Sequence, residues 1–310
     1  MVFCGTPQFA VPSLKFLLQQ SDFQVLAAYT QPDRPRGRGQ EISFTPVKEV
    51  ALAANLPVHQ PAKIRAPEVE QELRALAPDV IVIIAYGQII PVRLLVIPKY
   101  GWINLHASLL PKYRGAAPIN WAIVNGETMT GNTTMRIDAG MDTGEVLLQQ
   151  ELAVGEDETT PELASRLSEA GATLMAESLR GIATGTVKGR AQNTEGATLA
   201  PILKREDGLI DWPLSAVQIY NRMRGFTPWP DAYTQFRNQM CHLRGKPVPG
   251  EVADIEPGTI VSGNGKLRVA CGQGTLLELS TVKLEGRKQV SAAEFANGAR
   301  LQSGERFGKR

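Results

Sequence analysis

Short, uncharged apolar runs alternate with amphipathic stretches along the first half of this chain. Met1–Cys4, Val25–Tyr29, Val80–Ala85 and Trp102–Leu105 carry no charge, as strands covered on both faces require. Between them Val11, Leu14, Leu17 and Leu18 fall at helical spacing behind Pro12, and Val47, Val50 and Ala51 follow Pro46 in the same way. Ala66–Ala77 places charges on one side and apolar residues on the other. The alternation predicts an α/β fold, a Rossmann-like doubly wound sheet. Thr133–Ile137 and Val146–Val154 read as further strands of that sheet. Thr159-Thr-Pro-Glu162 has capping-box spacing and opens a long helix through Leu163, Leu167, Leu174 and Leu179, which ends at the glycine-rich 181–189.

Beyond residue 187 the rhythm changes. Residues 188–206 are polar and weakly periodic, as in a linker. Ser215–Arg224 reads as a short helix. Short runs follow at Tyr233–Arg237, Met240–Leu243, Gly258–Ser262, Lys266–Ala270 and Leu276–Val282, with Asn264-Gly265 as a hairpin signal. Several short strands in so little chain predict a small OB-like β-barrel. The expected organisation is a catalytic domain at 1–187, a linker at 188–206 and a barrel domain at 207–310.

Charge sharpens this division. Net charge is +2 overall, but residues 200–310 hold 16 Lys/Arg against 11 Asp/Glu, and residues 1–199 hold 17 against 20. A basic second domain suits a polyanionic partner such as a nucleic acid. No apolar run approaches the ~20 residues that span a bilayer, and no signal peptide precedes the first strand. The three cysteines, Cys4, Cys241 and Cys271, form no Cys-x-x-Cys pair. They argue against a disulfide framework or a zinc site and for a reducing cytoplasm.

The chemistry concentrates between residues 101 and 144. Asn104 and His106 are two apart on an apolar run, so both leave one face of a strand. His106 would stand at the strand's C-terminal end, where open α/β sheets place their sites. Asp142 lies in the turn Asp138-Ala-Gly-Met-Asp-Thr-Gly144 and is a candidate partner for that histidine. An amide, an imidazole and a carboxylate with no nucleophilic Ser or Cys suit acyl transfer between two bound substrates. The bland alternative is an ordinary polar turn beside a structural histidine, as His59 and His242 are taken to be. Ser108-Leu-Leu-Pro111 and the following Lys112-Tyr-Arg114 offer a cleft wall with basic residues, or a plain strand–helix connection. Gln31–Gln40 is a mobile basic loop that lacks the third glycine of a dinucleotide fingerprint. It is either a solvated loop or an arm for phosphates.

Taken together, these segments resemble the methionyl-tRNA formyltransferase family over nearly the whole chain. The resemblance rests on Phe3-Cys-Gly-Thr-Pro-Gln-Phe-Ala10, Gln31-Pro-Asp-Arg-Pro-x-Gly-Arg-Gly39 and Ala85-Tyr-Gly-Gln-Ile-Ile-Pro91. It continues through the Asn-Leu-His-Ala-Ser-Leu-Leu-Pro and Met-Asp-Thr-Gly stretches, Asp207-Gly-Leu-Ile-Asp-Trp212 and Phe226-Thr-Pro-Trp-Pro230. It implies 10-formyltetrahydrofolate as formyl-donor co-substrate, no metal, and methionyl initiator tRNA as acceptor. Asn104, His106 and Asp142 become the catalytic set. Ser108, Leu109, Leu110 and Pro111 would hold the folate, with its pterin near Ala85, Tyr86 and Gly87. Arg38, with Arg34 and Arg36, would meet the tRNA. A cytoplasmic monomer without membrane contact is expected. The chain departs from the family at Asn132, where an apolar residue is expected and a looser strand follows, and at Ile202, where Lys is frequent. Rival readings are a related folate-dependent formyltransferase or hydrolase with a small-molecule substrate, and a non-catalytic nucleic-acid-binding module.

Overall fold

The computed structural model describes residues 1–36, 41–263, 266–302 and 304–308. Two compact units partition the chain. The first takes 1–118, 129–153 and 163–201. The second takes 119–128, 154–162 and 202–310.

The first unit is built on a seven-stranded sheet. In chain order its elements are β1 (Val2–Gly5), α1 (Val11–Gln19), β2 (Ala27–Tyr29), β3 (Arg34–Arg36), β4 (Glu41–Ser43), α2 (Pro46–Ala53), β5 (Val58–His59), α3 (Pro67–Leu76), β6 (Ile81–Ile84), α4 (Val92–Leu95), β7 (Trp102–His106) and β8 (Arg114–Gly115). After α5 (Pro118–Val124) come β9 (Met129–Arg136), β10 (Val146–Ala153), α6 (Thr160–Thr184) and β11 (Leu199–Ala200). The sheet order is β10-β9-β7-β6-β1-β2-β5. The β5-to-β7 part is parallel, and β9 and β10 continue it antiparallel.

Period-two alternation explains the continuous apolar runs. Phe3, Ala28, Val82, Ile84, Ile103 and Leu105 enter one core, shared with α1, α2 and α6. Val2, Cys4, Tyr29, Ile81, Ile83 and Trp102 enter the other, shared with α3 and α4. Each strand therefore needs apolar residues at every position. Gly171 lets α6 lie directly on β7, since a Cβ there would sit 2.4 Å from Leu105 Cδ2. One half of the predicted capping box forms, with the Thr159 amide and hydroxyl both donating to Glu162 Oε2 (2.8 and 2.6 Å). Asn132 does not loosen its strand. It is fully buried in an unbroken β9, and its Nδ2 donates to the Leu167 carbonyl of α6 at 2.8 Å.

The expected linker is also more structured than its composition suggests. Within residues 188–206, Leu199–Ala200 forms β11 and pairs in parallel with Arg114–Gly115.

The second unit contains α7 (Ala216–Gly225), capped by Ser215, then β12 (Tyr233–Phe236), β13 (Gln239–Pro247), β14 (Ile260–Gly263), β15 (Lys266–Ala270), β16 (Leu276–Leu284), β17 (Val290–Ser291) and α8 (Ala292–Ala299). Its curled antiparallel sheet runs β12-β13-β16-β15-β14, the half-barrel expected of an OB-like domain. The predicted hairpin joins β14 to β15 with Gly263 opposite Lys266, and Asn264-Gly265 themselves lie outside the described residues. No strand ladder joins β12 to β14 among the described residues. The final segment lies between them instead. The Gly308 amide donates to Gln235 O, Phe307 N donates to Gly258 O, and Ile260 N donates to Glu305 O. Phe307 packs with Trp212, Phe236 and Phe295 in this unit's core.

Residues 119–128 and 154–162 belong to this unit through polar clamps. Asn120 Nδ2 and Thr160 Oγ1 both donate to the Gly225 carbonyl at the end of α7 (2.8 and 2.7 Å). Arg224 donates to the Gly155 and Glu158 carbonyls. Cys4, Cys241 and Cys271 are all buried and unpaired, and burial pushes the latter two thiols up to about 12.

Candidate active site

The sheet's connections set where a ligand can enter. From β1 the chain moves outward through β2 to β5, then returns to β6 on the other side of β1. The carboxyl ends of β1 and β6 therefore flank a topological switch point, the usual ligand crevice of an open α/β sheet. A cavity of about 350 Å³ opens there. It is lined by Thr6, Gln31, Arg34, Phe44 and Ala85–Gly87, among others. Ala85 (φ +46°) and Gly87 (φ +85°) turn the backbone around its wall. The Tyr86 carbonyl is fixed by Thr6 Oγ1 (3.0 Å) and Gln31 Nε2 (3.1 Å).

The catalytic candidates emerge at the same edge of the sheet. Asn104 is registered against Ile83 of β6, so β7 ends at His106 beside the Ala85–Gly87 turn. Trp102, Asn104 and His106 share one strand face. Trp102 is buried in the core, and the other two stand further along toward the carboxyl end. His106 is 5% exposed. Its Nε2 lies 2.9 Å from the Tyr113 carbonyl, so Nε2 carries the proton and donates it. Its Nδ1 faces Asp142 Oδ2 at 3.7 Å. The approach that sequence alone left open is therefore present. Asn104 is half-buried, and its amide has no hydrogen-bond partner among the described residues.

The loop after β7 is tightly built. Ser108 is fully buried; its hydroxyl donates to Lys112 O (2.6 Å) and its carbonyl accepts from Thr133 Oγ1 (2.6 Å). Leu110 N donates back to Thr133 Oγ1, and Gln149 Nε2 donates to Leu110 O. Leu110 is buried and the Leu110–Pro111 peptide is cis, while Leu109 is half-buried. Asp142 sits at φ +52° and its Oδ2 accepts from Gly115 N at 2.8 Å.

The basic loop divides. Arg34–Arg36 pairs antiparallel with Glu41–Ser43, so its described flanks form a two-stranded ribbon rather than a loose loop. Arg34 is exposed and lines the cavity. The Arg36 side chain and Arg38 lie outside the described residues. The ribbon's base is anchored by Asp33, which accepts from Lys48 Nζ and from Gln60 Nε2 (2.9 Å). Burial would raise the Asp33 carboxyl, but Lys48 and Gln60 outweigh it and hold it below its ordinary value.

Comparison with known proteins shows the family. The formyl transferase family matches residues 1–179, and the formyl transferase C-terminal domain matches 202–300. The "Methionyl-tRNA formyltransferase" of Koribacter versatilis is 49% identical over all of this chain and 98% of its own length. That of Geobacter sulfurreducens is 48% identical over all of this chain and 96% of its own. The chain belongs to the methionyl-tRNA formyltransferase family. Solved structures share the family's fold at 18% identity. A sugar 3N-formyl transferase determined with dTDP and 5-N-formyl-THF gives a TM-score of 0.66 over 93% of this chain and 98% of its own. The Helicobacter canadensis N-formyltransferase with folinic acid gives 0.64 over 90% and 97%.

Several residues that build this candidate site escaped sequence reasoning. Thr133 and Gln149 hold the Ser108–Pro111 loop, as above. From the expected linker, Thr198 Oγ1 accepts from Tyr113 N (2.8 Å), and Gln192 contacts both Arg114 and the Asp142 turn. The Gln and Thr side chains looked like ordinary linker polarity. No three His, Cys, Asp or Glu side chains gather as a metal site among the described residues.

Proposed function

We propose that this protein transfers the formyl group of 10-formyltetrahydrofolate to the α-amino group of methionyl initiator tRNA. The observation that carries this reading is the Asn104–His106–Asp142 constellation at the switch-point edge, in a chain that matches methionyl-tRNA formyltransferases from end to end. The amine nitrogen attacks the formyl carbon to form the new C–N bond and a tetrahedral oxyanion, whose collapse breaks the bond to N10 of the folate once N10 is protonated. The incoming ammonium must first lose a proton. Nε2 of His106 is committed to Tyr113 O, so Nδ1 with Asp142 is the pair able to take it. The tetrahedral intermediate then passes its second amine proton to N10. The unpartnered Asn104 amide donates to the oxyanion, a contact whose loss costs ~10²–10³ in kcat in comparable sites.

The Ser108–Pro111 loop and the Ala85–Gly87 turn form the folate wall in this reading. Because the Ser108 hydroxyl is already engaged, that segment contributes shape and backbone groups rather than a free hydroxyl. Arg34, Arg36 and Arg38 meet the acceptor arm, and the basic second domain adds to the tRNA grip. No helix of the described residues is long and apolar enough to cross a membrane. The reading places the protein in the cytoplasm as a monomer.

The test is formyl transfer to methionyl initiator tRNA, with elongator methionyl-tRNA and free methionine alongside. Transfer to the initiator alone supports the reading, whereas donor breakdown without formyl-tRNA replaces it with a hydrolase. His106→Ala is expected to lower turnover by orders of magnitude while the fold and tRNA binding persist. Near-normal turnover would sink the catalytic assignment.

A further inference from the structure

His106 ends strand β7 and Asp142 lies on a separate bend, and neither element alone fixes the distance between them. His106 is held through the Tyr113 carbonyl, on the segment that leads into β8. Asp142 lies on a bend between β9 and β10, with its own backbone in the left-handed region. A third segment, residues 190–200, touches both. Arg190 exchanges backbone hydrogen bonds with Val146 (2.9 Å each way), just past the Asp142 bend. Thr198 binds the Tyr113 amide, and β11 pairs with β8.

Midway along this segment, one side chain spans the gap. Gln192 Nε2 donates to the carbonyls of Asp142 (2.9 Å) and Gly144 (2.8 Å). Its Oε1 accepts from Arg114 Nε (3.1 Å) and Nη2 (2.7 Å). Both donor hydrogens and the acceptor oxygen are thus used, two on the Asp142 bend and the rest on β8. The next residue of β8, Gly115, gives its amide to the Asp142 carboxylate. Arginine on one side and two carbonyls on the other are complementary only to a carboxamide. A carboxylate would keep Arg114 and repel the two carbonyls.

We propose that Gln192 is a positioning residue for the transfer reaction. It pins the Asp142 bend to β8, next to the Tyr113 carbonyl that holds His106, so that the carboxylate stays within ion-pair reach of Nδ1. The inference rests on the function proposed above. Misplacing a catalytic group by about 1 Å costs on the order of 10²-fold in rate. Because Gln192 touches neither wall of the switch-point cavity, its loss acts on kcat rather than on KM.

The test compares Gln192→Met, which keeps the length and loses every hydrogen bond, with Gln192→Glu, which keeps only the Arg114 half. Steady-state formylation is measured with both substrates varied. Nitrogen-15 spectra of the free protein follow the Gly115 amide and the His106 ring. The expected result is a kcat ~10- to 100-fold lower in both variants, both KM values within about twofold, and a single cooperative urea transition with its midpoint modestly lowered by the lost hydrogen bonds. The Gly115 amide proton should lose the downfield position of a donor to a carboxylate. Wild-type kcat in either variant would overturn the proposal, as would a Gly115 signal that stays in place. The spectra need no substrate. If the wild-type protein fails to formylate tRNA, the function falls while the positioning is still decided by the Gly115 amide.

Discussion

Gly115→Ala adds one methyl group where the fold leaves no room for it. Gly115 has φ +120°, and a Cβ there would lie 2.7 Å from the Ala200 carbonyl oxygen, about 0.7 Å inside ordinary contact. Forcing a residue with a side chain into that conformation costs ~1–3 kcal/mol. The Ala200 oxygen is not free to retreat, since it accepts from the Ala116 and Ala117 amides at 2.9 and 3.2 Å. Giving up those two bonds costs ~0.5–1.5 kcal/mol each. The chain relieves the clash most cheaply by letting β11 come away from β8, and with the remaining backbone strain the global loss is roughly 2–6 kcal/mol. The catalytic loss is expected to be larger, because the Gly115 N–H that holds Asp142 moves with β8. We expect kcat/KM for formylation to fall at least ~100-fold. Urea unfolding, formyl transfer and hydrogen exchange at Ala116 and Ala117 measure the three effects separately. Wild-type kcat/KM with slow exchange at both amides would refute the reasoning.

Three further outcomes are expected. Gly171→Ala gains ~1 kcal/mol of helix propensity but presses a methyl on Leu105, an overpacking that costs ~1–3 kcal/mol; a lower urea midpoint is expected, with Leu105→Val partly restoring it, and a raised midpoint would show that α6 shifts freely. Phe307→Ala empties a site 2% exposed among Trp212, Phe236 and Phe295 and should cost ~3–5 kcal/mol, read as an earlier melting of the second unit. Asp33 has a folded pKa below its unfolded value, so its contribution is present above the ordinary carboxylate range and disappears as pH falls through the lowered value. Stability of Asp33→Asn should therefore change less with pH on the acid side than that of the parent, and parallel acid limbs in denaturant titrations would contradict this.

How much of this was legible in the sequence depended on where the information lay. Strands buried on both faces spell themselves out, and Val80–Ala85 could scarcely be anything else. Met129-Thr-Gly-Asn132 could not be read as the start of β9, because its stabilisation comes from ladder bonds to β10 and from Asn132 reaching α6. The same holds for Leu199–Ala200, a backbone pairing inside a stretch whose side chains look like linker. Asn104 and His106 were legible through their spacing, since strand geometry places i and i+2 together. The approach of Asp142 was not, because a turn's composition says nothing about what it faces. Nor does the sequence of α5 reveal which of the two units its residues join.

The segment Glu305–Gly308 also matters for how this protein avoids its own kind. Without it, Gln235 O on β12, Ile260 N on β14 and Gly258 O would lose their partners, and unpaired groups on a sheet edge recruit strands from other molecules. The segment donates to Gln235 O of β12 and to Gly258 O, accepts from Ile260 N of β14, and is anchored from within the core by Phe307. A lesion there would appear less as lost catalysis than as self-association at high concentration, with the catalytic unit still folded inside the aggregate.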